Sequence, residues 1–233
     1  MELNSIAFIP DGNRRYARLN GLNLLQAYSL GTQKSWDVLE WLVKYPQIKV
    51  GTFYTLSMEN LSRNRAELSV LFKIFGRELD SVKDKAVLAE NKIALKFVGR
   101  RELFPKKMQE KMDAAEKYTA DFGGKRTINL ALGYNGQQEI VDAAKKIAQG
   151  YKEGIVNLAH LNEKAFANYL YSPFQNPDLI IRTSGTQRLS GFLTYQSAYS
   201  ELYFTPKYWP ELQEADLQAA VKDFYERDRR YGK

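Results

Sequence analysis

The chain has 233 residues, 44% of them hydrophobic, which is enough to bury a large core. It contains no cysteine and one histidine, so disulfides, thiolate catalysis, cysteine metal sites and histidine-rich metal centres are excluded. Its 34 lysines and arginines outnumber 27 acidic residues to give +7, which points to an anionic partner: nucleic acid, a phosphorylated ligand or an acidic membrane surface.

The residues before the first apolar run lack the basic start and apolar stretch of a signal peptide. No window approaches the roughly 20 apolar residues of a membrane span. The expectation is a cytoplasmic protein. Residues 6–9 form the first strand-like run, rich in apolar residues, and 50–56 the second. Between them, 24–44 carries apolar residues at helical spacing. Residues 66–90 read as one helix, with Leu68, Leu71, Phe72, Phe75, Leu79 and Val82 on a single stripe. Strands follow at 93–98 and 127–132, then a helix at 137–148. Residues 162–170 begin a further helix with Asn162 as its cap. Strands at 179–181 and 202–204 and a helix at 214–230 complete the chain. His160 falls in a polar stretch with no glycine-flanked serine to accompany it, and reads as a loop or cap residue. Short, continuously apolar runs alternating with helices predict an α/β fold: one open, mainly parallel six-stranded sheet flanked by helices, forming a single domain over 1–233.

The polar clusters fall at strand ends. The first strand is followed by Pro10, Asp11, Gly12, Asn13, Arg14 and Arg15, and the second by Ser57, Met58, Glu59 and Asn60, with Arg63 beyond. The fourth runs into Gly133, Tyr134, Asn135 and Gly136, and the fifth into Arg182, Thr183, Ser184 and Gly185, with Arg188 and Ser190 following. Open α/β sheets bind ligands at the carboxyl ends of their strands. Gly12 permits a tight turn against a ligand, and Arg14 and Arg15 supply charge-assisted donors for phosphate oxygens. Asp11 would repel a phosphate unless a hard cation such as Mg²⁺ bridges the two. Arg182, Arg188 and the nearby hydroxyls make a second anion site. Neither cluster follows the Walker or dinucleotide glycine pattern.

The stretches FIPDGNRRYAR, TLSMENLSRNRAEL, INLALGYNGQQEIVDAAKK, DLIIRTSGTQRLSGFL and YSELYFTPKYWPEL, with the closing RDRRYGK, resemble the cis-prenyltransferase family over nearly the whole chain. The resemblance implies condensation of an allylic prenyl diphosphate with isopentenyl diphosphate, an apolar tunnel for the growing chain, Mg²⁺ as cofactor and a homodimer. By the same resemblance Asp11 would hold the metal, with Glu201 a second metal contact, and Asn60 would stand near the departing proton. Gly12, Asn13, Arg14 and Arg15 would cradle the allylic diphosphate, and Ser57, Glu59 and Arg63 would line the reaction centre. Arg182, Arg188 and Ser190 would bind the acceptor diphosphate. Tyr16, Tyr28, Met58, Leu61 and Leu189 would complete the substrate-binding set, and Arg230 and Gly232 would reach the partner's site. An insoluble prenyl product together with the basic charge implies peripheral membrane contact.

The chain departs from the family pattern at Tyr28, where a histidine is usual, and at Leu24, where an arginine is usual. It departs also at Thr186 for a glutamate, Arg126 for a leucine beside the far end of the tunnel, and Thr55 for an alanine. Tyr28 and Thr186 leave open an unusual acceptor, such as a prenyl alcohol oxygen. Arg126 and Thr55 suggest a shorter tunnel. A partner-dependent subunit of a heteromeric enzyme is a further alternative, although such subunits typically lack the Asp-Gly-Asn element that is present here. No nucleic-acid-binding motif accompanies the basic charge, and no nucleic-acid partner is expected.

Overall fold

The computed structural model describes residues 2–171 and 176–227. Its centre is β1 (Ser5–Ile9), buried on both faces along its whole length, as a central strand of a helix-covered parallel sheet must be. The chain continues through α1 (Asn13–Leu19), α2 (Leu24–Val43), β2 (Val50–Ser57), α3 (Arg65–Asp80), α4 (Ala86–Glu90), β3 (Ile93–Val98) and α5 (Lys106–Ala120). It goes on through β4 (Arg126–Tyr134), α6 (Gly136–Lys152), α7 (Glu163–Ala167), β5 (Leu179–Arg182), β6 (Glu201–Phe204) and α8 (Glu214–Glu226). The strands pair in the order β3-β4-β2-β1-β5-β6, and every pair is parallel.

That order creates two crevices. The chain leaves β1 toward β2 and leaves β5 toward β6, on opposite sides of the β1–β5 pair. It likewise leaves β2 toward β3 and β4 toward β5, on opposite sides of the β2–β4 pair. Ligands in open α/β sheets settle where connections diverge in this way. The four strands involved are the four whose carboxyl ends carry the polar clusters.

One face of the sheet packs Ile6, Phe8, Phe53, Leu95, Phe97, Ile128 and Ile181 against helical residues such as Leu39, Leu42, Met112 and Leu217. Phe8 stacks on Phe53 at 4.9 Å, and the Trp209 ring stands edge-on to Phe53 at 6.3 Å. The other face buries the smaller Ala7, Ile9, Ala131 and Ile180 under Tyr134, Phe192 and Leu193.

The six strands lie within two residues of their predicted positions, and Asn162 caps α7 by accepting from the Ala165 amide at 2.9 Å. The helix expected over 66–90 is broken. After α3 comes a 3-10 turn (Ser81–Asp84), and Lys85 leaves helical geometry before α4. Ser81 Oγ donates to the Glu78 carbonyl at 3.1 Å, a side-chain bond of the kind that competes with helix continuation. The apolar stripe divides accordingly: Leu79 and Val82 are core, whereas Leu68, Leu71, Phe72 and Phe75 are half-buried. The sequence pattern missed α5, whose buried side is only Met108, Met112, Ala115 and Thr119 on an otherwise charged helix. The helix expected to 230 is described to Glu226. Among the described residues no helix is long and apolar enough to cross a membrane.

Candidate active site

At the β1–β5 crevice the chain turns out of β1 through Asp11 and Gly12. Gly12 has φ +103°, and a Cβ there would stand 2.5 Å from the Tyr208 ring, so no other residue fits without displacement. Thr183 at the end of β5 fastens the turn. Its hydroxyl donates to the Asp11 carbonyl at 2.7 Å and accepts from the Asp11 amide at 2.9 Å. Trp209, 1% exposed, donates its backbone N–H to the Asp11 carbonyl at 3.0 Å and its indole N–H to the Gly31 carbonyl of α2 at 2.8 Å. The Asp11 backbone is thereby held by Thr183 and by Trp209, which α2 in turn anchors.

The Asp11 carboxylate accepts from Arg182 Nη2 at 2.8 Å and lies 3.5 Å from Arg15 Nη2. Burial acts to raise the Asp11 pKa. The hydrogen bonds from Arg182 and Ser184, and the charges of Arg182 and Arg15, outweigh it and hold the carboxyl below its ordinary value. Arg182 is 4% exposed. Its Nη1 donates to Ser190 Oγ at 2.9 Å and to the Arg188 carbonyl, while its buried Nε finds no partner. Arg15 donates to the Ser184 carbonyl at 3.3 Å and to the Ser184 hydroxyl, and lies over the Tyr208 ring at 5.5 Å. Two arginines thus meet the Asp11 carboxylate, the buried Arg182 from β5 and the half-exposed Arg15 from α1, while the exposed Arg14 lies 3.8 Å from Glu67.

At the β2–β4 crevice, Ser57 Oγ accepts from the Asn60 amide at 3.2 Å. Glu59 accepts from Asn135 Nδ2 at 2.5 Å. Burial would raise the Glu59 pKa, but its own amide, Ser57 and Asn135 hold it down. Met58, Glu59, Asn135, Gln137, Gln138 and Val141 line an open cleft of about 320 Å³.

A third cluster joins α2 to α3. Glu67 is 3% exposed. It accepts from the Tyr28 hydroxyl at 2.6 Å, pairs with Arg63 at 3.1 Å and has Arg14 Nε at 3.8 Å. Arg63 Nη1 also donates to the Tyr28 hydroxyl at 2.9 Å. Burial, then the Glu67 hydrogen bond, push the Tyr28 phenol far above its ordinary pKa. The sequence reading did not include Glu67. Its one signal was the four-residue spacing from Arg63 on a helix face.

The whole-chain comparison agrees with this geometry. Residues 9–232 match the family model described as "Putative undecaprenyl diphosphate synthase". The chain belongs to this prenyltransferase family. A tritrans,polycis-undecaprenyl-diphosphate synthase (geranylgeranyl-diphosphate specific) from Pyrobaculum aerophilum is 39% identical over 98% of this chain and 95% of that protein. An isoprenyl transferase from Thermus thermophilus is 38% identical over 98% of this chain and 88% of its own length. Among solved structures, lavandulyl diphosphate synthase from Lavandula x intermedia, in complex with dimethylallyl diphosphate, superposes with a TM-score of 0.90 at 30% identity, covering 99% of this chain and 98% of that one. A probable undecaprenyl diphosphate synthase from Campylobacter jejuni gives 0.81 at 27% identity, over the full length of both. The activity class of this prenyltransferase chain is accordingly prenyl transfer in polyprenyl diphosphate synthesis.

Of the residues expected to act together, this prenyltransferase chain gathers Asp11, Gly12, Arg15, Arg182 and Ser190 at one crevice, and Ser57, Met58 and Glu59 at the other. Asn13 stands behind the first turn, its Nδ2 donating to the Pro10 carbonyl at 3.2 Å, with Gly31 leaving room for its amide. Tyr16 is half-buried in α1, Leu61 and Leu189 pack half-buried against the two cores, and Arg188 is exposed beside the first crevice. Glu201 does not join Asp11 within the chain. It begins β6 opposite Leu179, on the order of 15 Å along the strands from Asp11, and its carboxylate accepts from Arg227 at 2.7 Å. Arg230 and Gly232 lie outside the described residues.

Among the described residues no three His, Asp or Glu side chains converge as a metal cage. The donor set at Asp11 is one carboxylate beside the guanidiniums of Arg182 and Arg15. That set suits Mg²⁺, which keeps several waters and takes one or two carboxylates together with substrate phosphates.

Proposed function

We propose that this chain is a Mg²⁺-dependent cis-prenyltransferase that condenses an allylic prenyl diphosphate with isopentenyl diphosphate to give a cis-polyprenyl diphosphate. The observation that carries the reading is the Asp11–Arg182 pair at the β1–β5 crevice, with Arg15 on one side and Ser190 and the Arg188 carbonyl on the other. This is one carboxylate between two anion-binding flanks, one for each diphosphate.

Asp11 and the allylic diphosphate oxygens would hold the metal, which supplies charge neutralisation of the leaving diphosphate. Arg14 and Arg15, with the backbone at Gly12 and Asn13, bind that diphosphate and stabilise the charge that grows as the allylic C–O bond breaks. Arg188, Arg182 and Ser190 hold the acceptor diphosphate. The acceptor then forms the new carbon–carbon bond and loses a proton near Asn60. Arg63, braced by Tyr28 and Glu67, lines the reaction centre with Ser57 and Glu59. The half-buried Leu68, Leu71, Phe72 and Phe75 of α3 line the channel for the growing chain. Their apolar surface keeps water from the cationic centre.

The catalytic unit is the single domain, and the active form is a homodimer. A metal contact from Glu201 would have to come from the second copy, because the same chain's Glu201 stands away from Asp11. Peripheral contact with an acidic membrane face follows from the +7 charge and the apolar product.

The test is incubation with Mg²⁺, labelled isopentenyl diphosphate and a primer series that includes dimethylallyl and geranylgeranyl diphosphates, with products sized by chain length. A Mg²⁺-dependent cis-prenyl ladder is expected. Product formed only when a prenyl alcohol is added would replace the acceptor in this reading.

A further inference from the structure

The turn that carries Arg188 and Ser190 has an unusual backbone. Ser190, Gly191 and Leu193 all have positive φ, at 50°, 74° and 45°. Only glycine takes that conformation without cost, so two of the three residues must be held there by their surroundings. Gly136 N–H donates to the Gly191 carbonyl at 2.7 Å, and Arg182 donates to Ser190 Oγ at 2.9 Å. Glu139 of α6, fully buried, accepts from Gln196 Nε2 further along at 3.0 Å.

The remaining tie comes from β2. The Tyr54 hydroxyl faces the Ser190 carbonyl at 3.3 Å and the Tyr134 carbonyl at 3.2 Å, donating its single proton between them. Its ring stacks on Phe192 at 4.6 Å and 13° and stands edge-on to Tyr134 at 6.0 Å. The Tyr134 carbonyl also accepts from the Met58 amide at 3.0 Å. A continuous path therefore runs from Met58 through the Tyr134 carbonyl, Tyr54, Ser190 and Arg182 to Asp11.

We propose that Tyr54 is a positioning residue. It sets the acceptor-binding turn, Arg188 to Ser190, in register with the Ser57–Asn60 segment across the two crevices. Tyr54 itself need not touch either substrate. The inference rests on the proposed assignment of this turn to the acceptor diphosphate. Burial keeps the phenol protonated through the working pH range, so the strut does not switch off as pH changes.

Tyr54→Phe keeps the ring stack and removes only the hydroxyl. One lost hydrogen bond corresponds to about a tenfold effect or less. The expected result is a rise of about five- to tenfold in KM for isopentenyl diphosphate, with KM for the allylic diphosphate changed less than about twofold. Amide hydrogen exchange gives a second reading that does not depend on turnover. Exchange in 189–193 should accelerate in Tyr54→Phe while 10–16 keeps its protection. Equal rises in both KM values, or an unchanged acceptor KM with unchanged exchange, would overturn the positioning role while leaving the proposed reaction intact. Failure of the wild-type protein to use isopentenyl diphosphate would overturn the acceptor assignment, and this inference with it.

Discussion

The two edges of the sheet use the same residue types in opposite ways. At the amino edge, Arg126 is 7% exposed, and its guanidinium donates to the carbonyls of Ile48 and Tyr45 at 2.8 and 2.9 Å. Asp178 at that edge accepts from the backbone amides of Asn4 and Ser5 at 2.8 and 2.9 Å. These two charges meet backbone groups and tie strand starts to neighbouring segments. At the carboxyl edge, Asp11, Arg15 and Arg182 face one another, and Arg14 and Arg15 keep exposed donors. An edge whose charges are satisfied by backbone is a fastening. A carboxylate met by guanidiniums, one of them half-exposed, is a charge pairing that a ligand can take over.

The largest effect is expected at Asp11. Asp11→Ala should lower kcat by about a thousandfold, the scale for losing a principal stabiliser of developing charge, with the melting temperature nearly unchanged. A variant retaining more than a tenth of wild-type turnover would remove Asp11 from the chemistry. Arg126→Ala should do the reverse. It leaves the buried Ile48 carbonyl without its donor, while the Tyr45 carbonyl keeps the Ile48 amide, so a stability loss of about 2 kcal/mol in urea unfolding is expected, with turnover per folded molecule preserved. Loss of activity without loss of stability would place Arg126 in the reaction after all.

Between these extremes lies the Tyr28–Arg63–Glu67 cluster. Tyr28→Phe should reduce kcat/KM by roughly five- to tenfold, the worth of one hydrogen bond orienting a charged group. Tyr28→His would replace a phenol that stays neutral with an imidazole whose ordinary pKa is about 6.5. The variant should therefore gain a limb near neutrality in its pH–rate profile that the wild type lacks. Identical profiles for the two proteins would separate this position from catalysis.

The smallest effect concerns Asp142, which accepts from Arg100 Nε at 2.9 Å and Nη2 at 2.7 Å. Arg100's hydrogen bonds depress its pKa against the opposing effect of burial, and Tyr171 and Gln138 lower it further. A carboxyl depressed in the folded state stabilises above its unfolded pKa and loses that contribution as pH falls through the folded one. The stability gap between wild type and Asp142→Asn should be widest above about pH 4 and should close on acidification. A gap that does not change with pH would show that the pair acts through packing rather than charge.

Much of the site was legible because its signals are local. Asp11-Gly12 needs a turn that only glycine permits, and Ser57, Asn135 and Arg182 each directly end an apolar run. Glu67 and Tyr54 were not legible in the same way. Glu67 meets Tyr28 across 39 positions, and Tyr54 meets Ser190 across 136. No short-range pattern encodes such pairings. The helix over 66–90 was overextended because hydrophobic spacing continues through Ser81, where a side-chain bond to the Glu78 carbonyl accompanies the break.

The sequence by itself determined the six strands, their parallel character and the placement of polar clusters at strand ends. Buried parallel strands require continuous apolar runs, and turn chemistry requires particular residues at their ends. Only the tertiary structure decided which clusters share a crevice. That follows from strand order, with β5 beside β1 and β4 beside β2, and order depends on how crossovers pack rather than on any single segment. The same packing put Glu201 at the far edge beside Arg227 rather than beside Asp11, because its position is set by pairing with Leu179.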